Sequence, residues 1–239
     1  MFFLKERCGG DLTFMFEMSR FEQSKLGGHD VTIDREYAFI LDDPLFQSAI
    51  ETVKTLKPLS VPLMLKNGDE TRFFHVRRTR HNHFAFLYAA SQNDVNVPQP
   101  VLNVSDQDTH RFYLVTTYGP VRSLVDYLAD VKVSNQRKLN TLKSVADNLL
   151  KLGKAGLRHG NVAYDNIFVS TAGKVMLYDP EMDEEMLHHI QGDLEQFREM
   201  LFHLERELEH EPSKLWEMVR NDAFFTNLWK TPNKIILNY

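Results

Sequence analysis

A chain of 239 residues that is 43% hydrophobic and 26% charged is long enough to bury a large core and too apolar to be intrinsically disordered. Its net charge of −5 argues against a surface that coats nucleic acid, and its single cysteine, Cys8, excludes an internal disulfide bond and favours a reducing compartment. No apolar run approaches the ~20 residues that span a bilayer, so we expect a cytoplasmic protein without a membrane span.

Strand patterns dominate the first half of the chain. Residues 12–18 alternate between apolar and polar side chains, and residues 31–41 are again strand-like. Between them, Leu26-Gly27-Gly28-His29-Asp30 predicts a turn. Asp42-Asp43-Pro44 predicts an N-cap followed by proline in the first turn of a helix, which extends to about Leu56.

A hairpin, a helix and two strands complete this half. Asn67-Gly68-Asp69 separates two β-type runs, 61–66 and 71–78, and Asn-Gly is the strongest short hairpin signal. The pattern then predicts a helix over 83–91 and strands over 101–104 and 111–117.

Helical patterns take over after Tyr118-Gly119-Pro120. The predicted helices cover 123–129, 183–208 and 213 to about 229. A further, long helix is predicted to start at Ser134 and to be ended by Gly153 and Gly156. We therefore predict an α+β fold of two lobes, a strand-rich lobe over residues 1–118 and a shortened helical lobe over 119–239. A single hinge segment between such lobes would leave a cleft.

Polar side chains are gathered in residues 157–182. Two short β-type runs, 166–170 and 174–178, flank a turn and predict a hairpin. His159-Gly160-Asn161 comes just before the hairpin and Asp179-Pro180-Glu181 just after it. Because the open ends of one small hairpin lie together, we expect these side chains to converge on a common point.

These motifs resemble the catalytic loop of protein kinases. His159-Gly160-Asn161 stands where active kinases have His-x-Asp, Asn166 matches the catalytic-loop asparagine, and Asp179 matches the metal-binding aspartate. Asp193 is similar to the aspartate that opens the helix beneath that loop. The His-Gly-Asn and Asp-Pro motifs are also similar to those of the pseudokinase domains of Janus kinases.

The resemblance extends over residues 11–208 and implies a protein-kinase-like fold in which Tyr118 begins the hinge. It also implies ATP and Mg²⁺ as ligands. Asn166 and Asp179 would hold the metal, and Glu181 could add a third carboxylate. The nucleotide positions that it assigns are Arg77 or Lys66, Gly27, Gly28 and Tyr118. The opposite interpretation is that these residues only cap the loop and the hairpin and that no cofactor binds.

Several residues depart from the pattern of an active kinase. Asn161 takes the place of the general base, and a neutral amide cannot accept the hydroxyl proton. Arg77 or Arg78 stands in the slot of the strand lysine, with Lys66 as an alternative alignment, and arginine does not replace lysine freely. No glutamate occurs between Glu70 and Glu181, so the helix over 83–91 cannot supply the partner of that lysine.

Two further elements of an active kinase are reduced. Gly27 and Gly28 belong either to a degenerate Gly-rich loop or to a plain turn. The G-x-G-x-x-G spacing of an intact Gly-rich loop is absent. Asp179 and Asp193 are 14 positions apart (193 − 179), which leaves no room for an activation segment that would dock a substrate peptide.

Three hypotheses of function follow. The first is a pseudokinase that works as a regulatory or scaffold module by binding a protein partner, with residual nucleotide binding and with Asn161 and His159 in degenerate catalytic positions. The second is an active but atypical kinase that transfers the γ-phosphate of ATP to a small molecule or a specific protein. It is favoured by Asp179-Pro180-Glu181, which is similar to a motif of aminoglycoside-type kinases. The third is a pure interaction module. The oligomeric state stays open.

Overall fold

The computed structural model describes residues 20–55, 60–117, 119, 121–181, 192–208 and 213–230. Within these residues the protein is α+β, with one six-stranded and one three-stranded antiparallel sheet and several helices. The chain divides into two compact units. One holds residues up to 88 together with 99–118, and the other holds 89–98 together with the residues from 119 onward. None of the described helices is long and apolar enough to cross a membrane.

The six-stranded sheet forms the first unit. Its strands follow one another across the sheet in the order β1-β2-β5-β6-β4-β3, and every neighbouring pair is antiparallel. The strand bounds are β1 Phe21–Leu26, β2 His29–Asp34, β3 Ser60–Asn67, β4 Glu70–Thr79, β5 Pro100–Asp106 and β6 Arg111–Thr117.

Helices cover the two faces of this sheet. On one face, α1 (Pro44–Thr55) places Phe46, Ile50 and Val53 against the fully buried side chains of the central strands. On the other face, α2 (His83–Gln92) packs against Phe21 of β1, whose ring makes edge contacts with Phe84 at 5.2 Å and Tyr88 at 4.9 Å. Because α1 covers one face and α2 packs against β1 on the other, buried apolar residues occur on both faces of the sheet.

Most of the predicted elements of the first unit are confirmed. The hairpin around Asn67-Gly68-Asp69, the strands over 101–104 and 111–117 and the helix over 83–91 lie where the sequence pattern predicts them. Asp43 is the N-cap of α1, because its carboxylate accepts the backbone N–H of Leu45 at 2.8 Å. The strand predicted over 12–18 lies outside the described residues.

One strand prediction is wrong beyond Asp34. Residues Arg35–Ile40 form a 3-10 helix instead of continuing the strand. Asp34 ends the strand because its carboxylate accepts the backbone N–H of Glu36 at 3.2 Å and pairs with Arg20, whose Nε donates to it at 2.7 Å. A side chain that bonds to the backbone two residues ahead favours a turn over an extended strand.

The second unit combines a small sheet with helices. Its sheet has the order β7-β8-β9, and the hairpin β8–β9 confirms the hairpin predicted after Asn161. The short strand β7 was not predicted, since its three residues directly precede a helix. The bounds are β7 Val121–Ser123, α3 Leu124–Ala129, α4 Asn135–Lys154, β8 Ile167–Ser170, β9 Val175–Leu177, α5 Asp193–Glu207, α6 Ser213–Asn221 and α7 Ala223–Lys230.

The helix predictions hold with two corrections. The long helix begins after its N-cap Ser134 but runs through Gly153 to Lys154, and Gly156 follows in a left-handed conformation with φ +70°. The last helix is broken at Asp222, because the Asp222 carboxylate caps a new helix by accepting the N–H of Phe224 at 2.9 Å. Of the helix predicted over 183–208, the described part is α5.

Two adjacent phenylalanines of β4 test the register of the sheet. Phe74 is fully buried against α1, whereas Phe73 on the opposite face is 51% exposed. Phe74→Ala should therefore lower the free energy of unfolding by about 3–5 kcal/mol. Phe73→Ala should change it by about 0.5 kcal/mol or less. Urea unfolding followed by far-UV circular dichroism measures both, and equal losses would show that the faces of β4 are assigned wrongly.

Candidate functional site

The loop that precedes β8 is anchored by hydrogen bonds to side chains in the first turn of α5. The two carboxylate oxygens of Asp193 accept the backbone N–H groups of His159 and Gly160, each at 2.8 Å. Gln196, one turn later, accepts the N–H of Val162 at 2.8 Å and donates to the carbonyl of Gly160 at 3.3 Å. Two side chains on one face of a helix therefore fix the backbone of the loop over residues 159–162.

His159 lies inside this arrangement. Its side chain is 1% exposed. Burial lowers the pKa of the imidazole, and the charges of Asp193 and Asp179 together with the backbone carbonyls of Tyr178 and Asn161, which accept from the ring, only partly oppose this shift. The ring is therefore neutral near pH 7. A neutral, enclosed imidazole supports the loop and does not reach a substrate in solvent.

The segment that follows β9 is bonded to the other side of the loop. The N–H of Tyr178 donates to the carbonyl of Asn166 at 2.8 Å, and the N–H of Glu181 donates to the carbonyl of His159 at 2.7 Å. Between them, Asp179 has the positive φ of +54°, which is uncommon for a residue other than glycine. The predicted convergence of 159–161 and 179–181 is thus present in the second unit.

Asn161, Asn166 and Asp179 meet at this point. Asn161 Nδ2 donates to the backbone carbonyl of Asp179 at 3.1 Å, and Asn166 Nδ2 donates to the backbone carbonyl of Asn161 at 3.2 Å. With its Nδ2 used in this way, Asn166 has its Oδ1 as the atom that a cation would take. Asn161 is exposed, and Asn166 and Asp179 are half-buried.

The donor set suits a hard cation that shares its ligands with a phosphate. An amide oxygen from Asn166 and a carboxylate from Asp179 are oxygen ligands of the kind that Mg²⁺ uses. Within the described residues, no group of three or more histidine, cysteine, aspartate or glutamate side chains is placed to hold a metal. Mg²⁺ commonly takes one or two carboxylates and completes its shell with waters and phosphate oxygens, so these residues fit a nucleotide-bound metal and not a protein-only cage.

The three candidates for the lysine slot occupy different places in the first unit. Arg78 lies on the α1 face, because its Nη1 donates to the carbonyl of Lys54 at 3.5 Å. Arg77 is adjacent on β4 and therefore points to the face that carries α2. Lys66 is exposed on β3, at the edge of the sheet. Arg77 and Lys66 therefore lie on the same sheet face, and Arg78 lies on the opposite one.

The remaining nucleotide positions are not brought together with Arg77. Gly27 and Gly28, with φ +56° and +90°, form a two-residue turn between the paired residues Leu26 and His29. The β1–β2 hairpin joins the sheet through β5, so β2 and β4 are three strand positions apart, about 14 Å at the usual strand spacing. Tyr118 lies outside the described residues.

Gln196 is a site residue that the sequence pattern did not single out. The detectable signal is its spacing of three residues after Asp193 (196 − 193), which places both side chains on one face of α5. Polar pairs at that spacing also occur on the solvent face of an amphipathic helix, so the sequence pattern does not single out Gln196.

Comparison with known proteins adds no family to this geometry. Neither a scan against protein-family models nor a search of curated proteins finds a match for the chain.

The anchoring role of Asp193 can be tested by a substitution that keeps the shape of the side chain. Asp193→Asn turns one acceptor oxygen into an N–H donor that faces another backbone N–H. We expect a loss of about 2–3 kcal/mol in the free energy of unfolding, because a hydrogen bond to a charged group is removed and a buried donor is left unsatisfied. Asp165→Asn, an exposed change on the same loop, is the control and should cost about 0.5 kcal/mol or less. Equal effects in urea unfolding would contradict the anchoring role.

The buried neutral His159 predicts a pH dependence of stability. Its folded-state pKa lies below the unfolded value of about 6.5, so the unfolded chain binds the extra proton. Stability should be fully present above pH 6.5 and should fall below it, by up to about 1.4 kcal/mol per pH unit from this group.

Urea unfolding at pH 7.5, 6.5 and 5.5 measures this slope, and NMR follows the ring protons of His159. The exposed His203 provides a control, since His203→Gln should keep the slope. A His159 ring that titrates near pH 6.5 in the folded protein would refute the prediction.

Proposed function

We propose that this chain is a two-lobed, kinase-like protein with impaired phosphotransfer, a pseudokinase that acts in the cytoplasm as a regulatory or scaffold module by binding a protein partner. The observation that carries the proposal is the side chain of Asn161. It stands at the position of the general base, cannot accept a proton there, and donates its amide hydrogen bond to the Asp179 carbonyl.

The order of elements supports a kinase-like fold. In the first unit, a strand with Arg77 is followed by α2 and then by the hairpin β5–β6. In the second unit, α3 and α4 precede the loop, the hairpin β8–β9 and Asp179. The contacts of Asp193 with the backbone of His159 and Gly160 support the similarity of Asp193 to the aspartate beneath a kinase catalytic loop.

One further departure supports impaired catalysis. The helix α2, with the sequence HFAFLYAASQ, contains no carboxylate that could pair with Arg77. A general base contributes roughly 10²–10⁴-fold to rate, and the lysine–glutamate pair that positions the phosphates is missing as well. A chain that lacks both would retain little useful turnover.

Residual nucleotide binding is part of the proposal. Asn166 Oδ1 and the Asp179 carboxylate would hold Mg²⁺, and the phosphates of ATP would complete its shell. When bound, Mg²⁺ neutralises phosphate charge. The chain's own contribution is a set of oxygen ligands that the hydrogen bonds around Asn161 keep in place. Binding of this kind stabilises the fold without any turnover.

A surface of the first unit supports partner binding. Met64 and Phe73 face each other across β3 and β4 and are 54% and 51% exposed. Lys66 is two residues after Met64 on β3, and Arg77 is four residues after Phe73 on β4. All four side chains therefore lie on the same face of the sheet. An apolar pair between two cations suits a partner protein that presents apolar and acidic groups.

The alternative function is an active, atypical phosphotransferase. The observation that favours it is the hydrogen bond from the N–H of Glu181 to the carbonyl of His159, which holds Glu181 beside the loop. Together with Asp179 and Asn166, Glu181 would give a third oxygen ligand. This alternative requires a nucleophile that is activated without a carboxylate at position 161.

Nucleotide binding and turnover can be separated by experiment. ATP with Mg²⁺ at ten times its Kd should add about 1.4 kcal/mol of stability, which raises the Tm by roughly 3–6 °C for a protein of this size. Asp179→Asn should abolish the part of the shift that needs Mg²⁺, because asparagine tolerates the positive φ but supplies no charge. Asp165→Asn should leave the shift unchanged.

The same samples are assayed for transfer of the γ-phosphate. We expect no transfer above the rate of ATP hydrolysis in buffer. Turnover that Asp179→Asn abolishes would refute the pseudokinase and establish the alternative. The absence of any thermal shift at millimolar ATP would refute nucleotide binding.

A further inference from the structure

Asn161 does more than leave the position of the base empty. We propose that Asn161 is a positioning residue whose amide holds the backbone of Asp179, and that an aspartate at position 161 would release Asp179 and would not restore a base. The inference rests on the proposed function, since Asp179 matters there as a metal ligand, but the hydrogen bonds on which it depends join residues of the chain itself.

The geometry is a closed ring of hydrogen bonds through three amide groups. The side chain of Asn161 donates to the Asp179 carbonyl at 3.1 Å, and the side chain of Asn166 donates to the Asn161 carbonyl at 3.2 Å. The N–H of Tyr178 closes the ring by donating to the Asn166 carbonyl at 2.8 Å. The ring joins the loop, the residue before β8 and the end of β9.

Asp179 needs such support because of its backbone conformation. A positive φ in a residue other than glycine costs free energy and persists where the surroundings determine it. Its carbonyl is held by Asn161, and the chain two residues later is held by the bond from Glu181 to His159. On the other side, the N–H of Tyr178 is held by the Asn166 carbonyl. With the backbone held on both sides, the direction of the Asp179 Cα–Cβ bond is set.

An aspartate cannot take over the role of Asn161 at neutral pH. An ionised carboxylate accepts hydrogen bonds and donates none. The same geometry would bring a charged oxygen about as close to the Asp179 carbonyl as the amide nitrogen is now, and would add a negative charge near a second aspartate. Both effects are repulsive. The introduced side chain must turn away, and the ring opens at its exposed side.

The experiment compares Asn161→Asp with Asn161→Ala, and uses Asn221→Asp as the control for the same chemical change at an exposed site of α6. At pH 7 we expect the unfolding constant to rise roughly 5-fold for Asn161→Ala, from loss of one hydrogen bond. For Asn161→Asp we expect a rise of roughly 30-fold, from that loss and the added repulsion. Asn221→Asp should change it less than about 3-fold.

A pH profile separates positioning from a general structural role. Below about pH 4 the introduced carboxyl is protonated and can donate a hydrogen bond. The Asn161→Asp penalty relative to wild type should therefore shrink to about 3-fold or less at pH 3.5, while the Asn161→Ala penalty should not change. In wild-type protein, NMR should show a coupling across the hydrogen bond between Asn161 Nδ2 and the Asp179 carbonyl carbon.

The functional readout uses ATP with Mg²⁺ and ATP in EDTA. Asn161→Asp should lose the Mg²⁺-dependent part of the thermal shift and should gain no transfer of the γ-phosphate. The inference is overturned if Asn161→Asp is as stable as wild type at pH 7, if its penalty does not change with pH, or if it gains phosphotransfer. Should wild type show no shift with ATP, nucleotide binding fails, whereas the stability profile and the coupling still decide the role of Asn161.

Discussion

The bond between the Asp193 carboxylate and two backbone amides is the interaction on which the site depends. A loop that joins α4 to β8 would otherwise leave the N–H groups of His159 and Gly160 without protein acceptors. A carboxylate at the start of α5 satisfies both, and its charge suits the N-terminal end of the helix dipole. Once those two N–H groups are fixed, the carbonyl of His159 is placed to accept from Glu181, and the segment after β9 is set in turn.

Local signals in the sequence predicted much of the fold. Gly27-Gly28 gave a turn, Asn67-Gly68 gave a hairpin, and Asp43 and Ser134 each gave a helix N-terminus, because these residues act through bonds within a few positions of themselves. The failures at Asp34 and Asp222 have the same local cause. In both places an aspartate side chain accepts a backbone N–H two residues ahead and ends the regular element, and the apolar pattern on which the prediction relied does not report it.

For the candidate site, too, the parts that depend on local structure were predicted and the parts that depend on long-range structure were not. Asn161, Asn166 and Asp179 were predicted to converge because a short hairpin brings its two ends together, and the hydrogen bonds among them lie within that hairpin and its flanks. Whether the proposed nucleotide positions of the first unit lie together depends on the order of strands in the sheet. The spacing of residues along the chain does not encode that order. Gly27 and Gly28 precede β4 in sequence like a Gly-rich loop, but the sheet attaches their hairpin through β5, away from Arg77. Gln196 was missed because its partner, the backbone of Val162, carries no side-chain signal.

The chemistry of amides then distinguishes a lost base from a changed role. Asn161 both donates through its side chain and accepts through its carbonyl, and an amide is the side-chain group of this size that donates to a carbonyl without charge. In the proposed pseudokinase, the amide of Asn161 lacks the proton acceptor of a general base and supplies the donor to the Asp179 carbonyl. If position 161 is the base position that we propose, holding the Asp179 backbone and accepting a proton make opposite demands on one side chain.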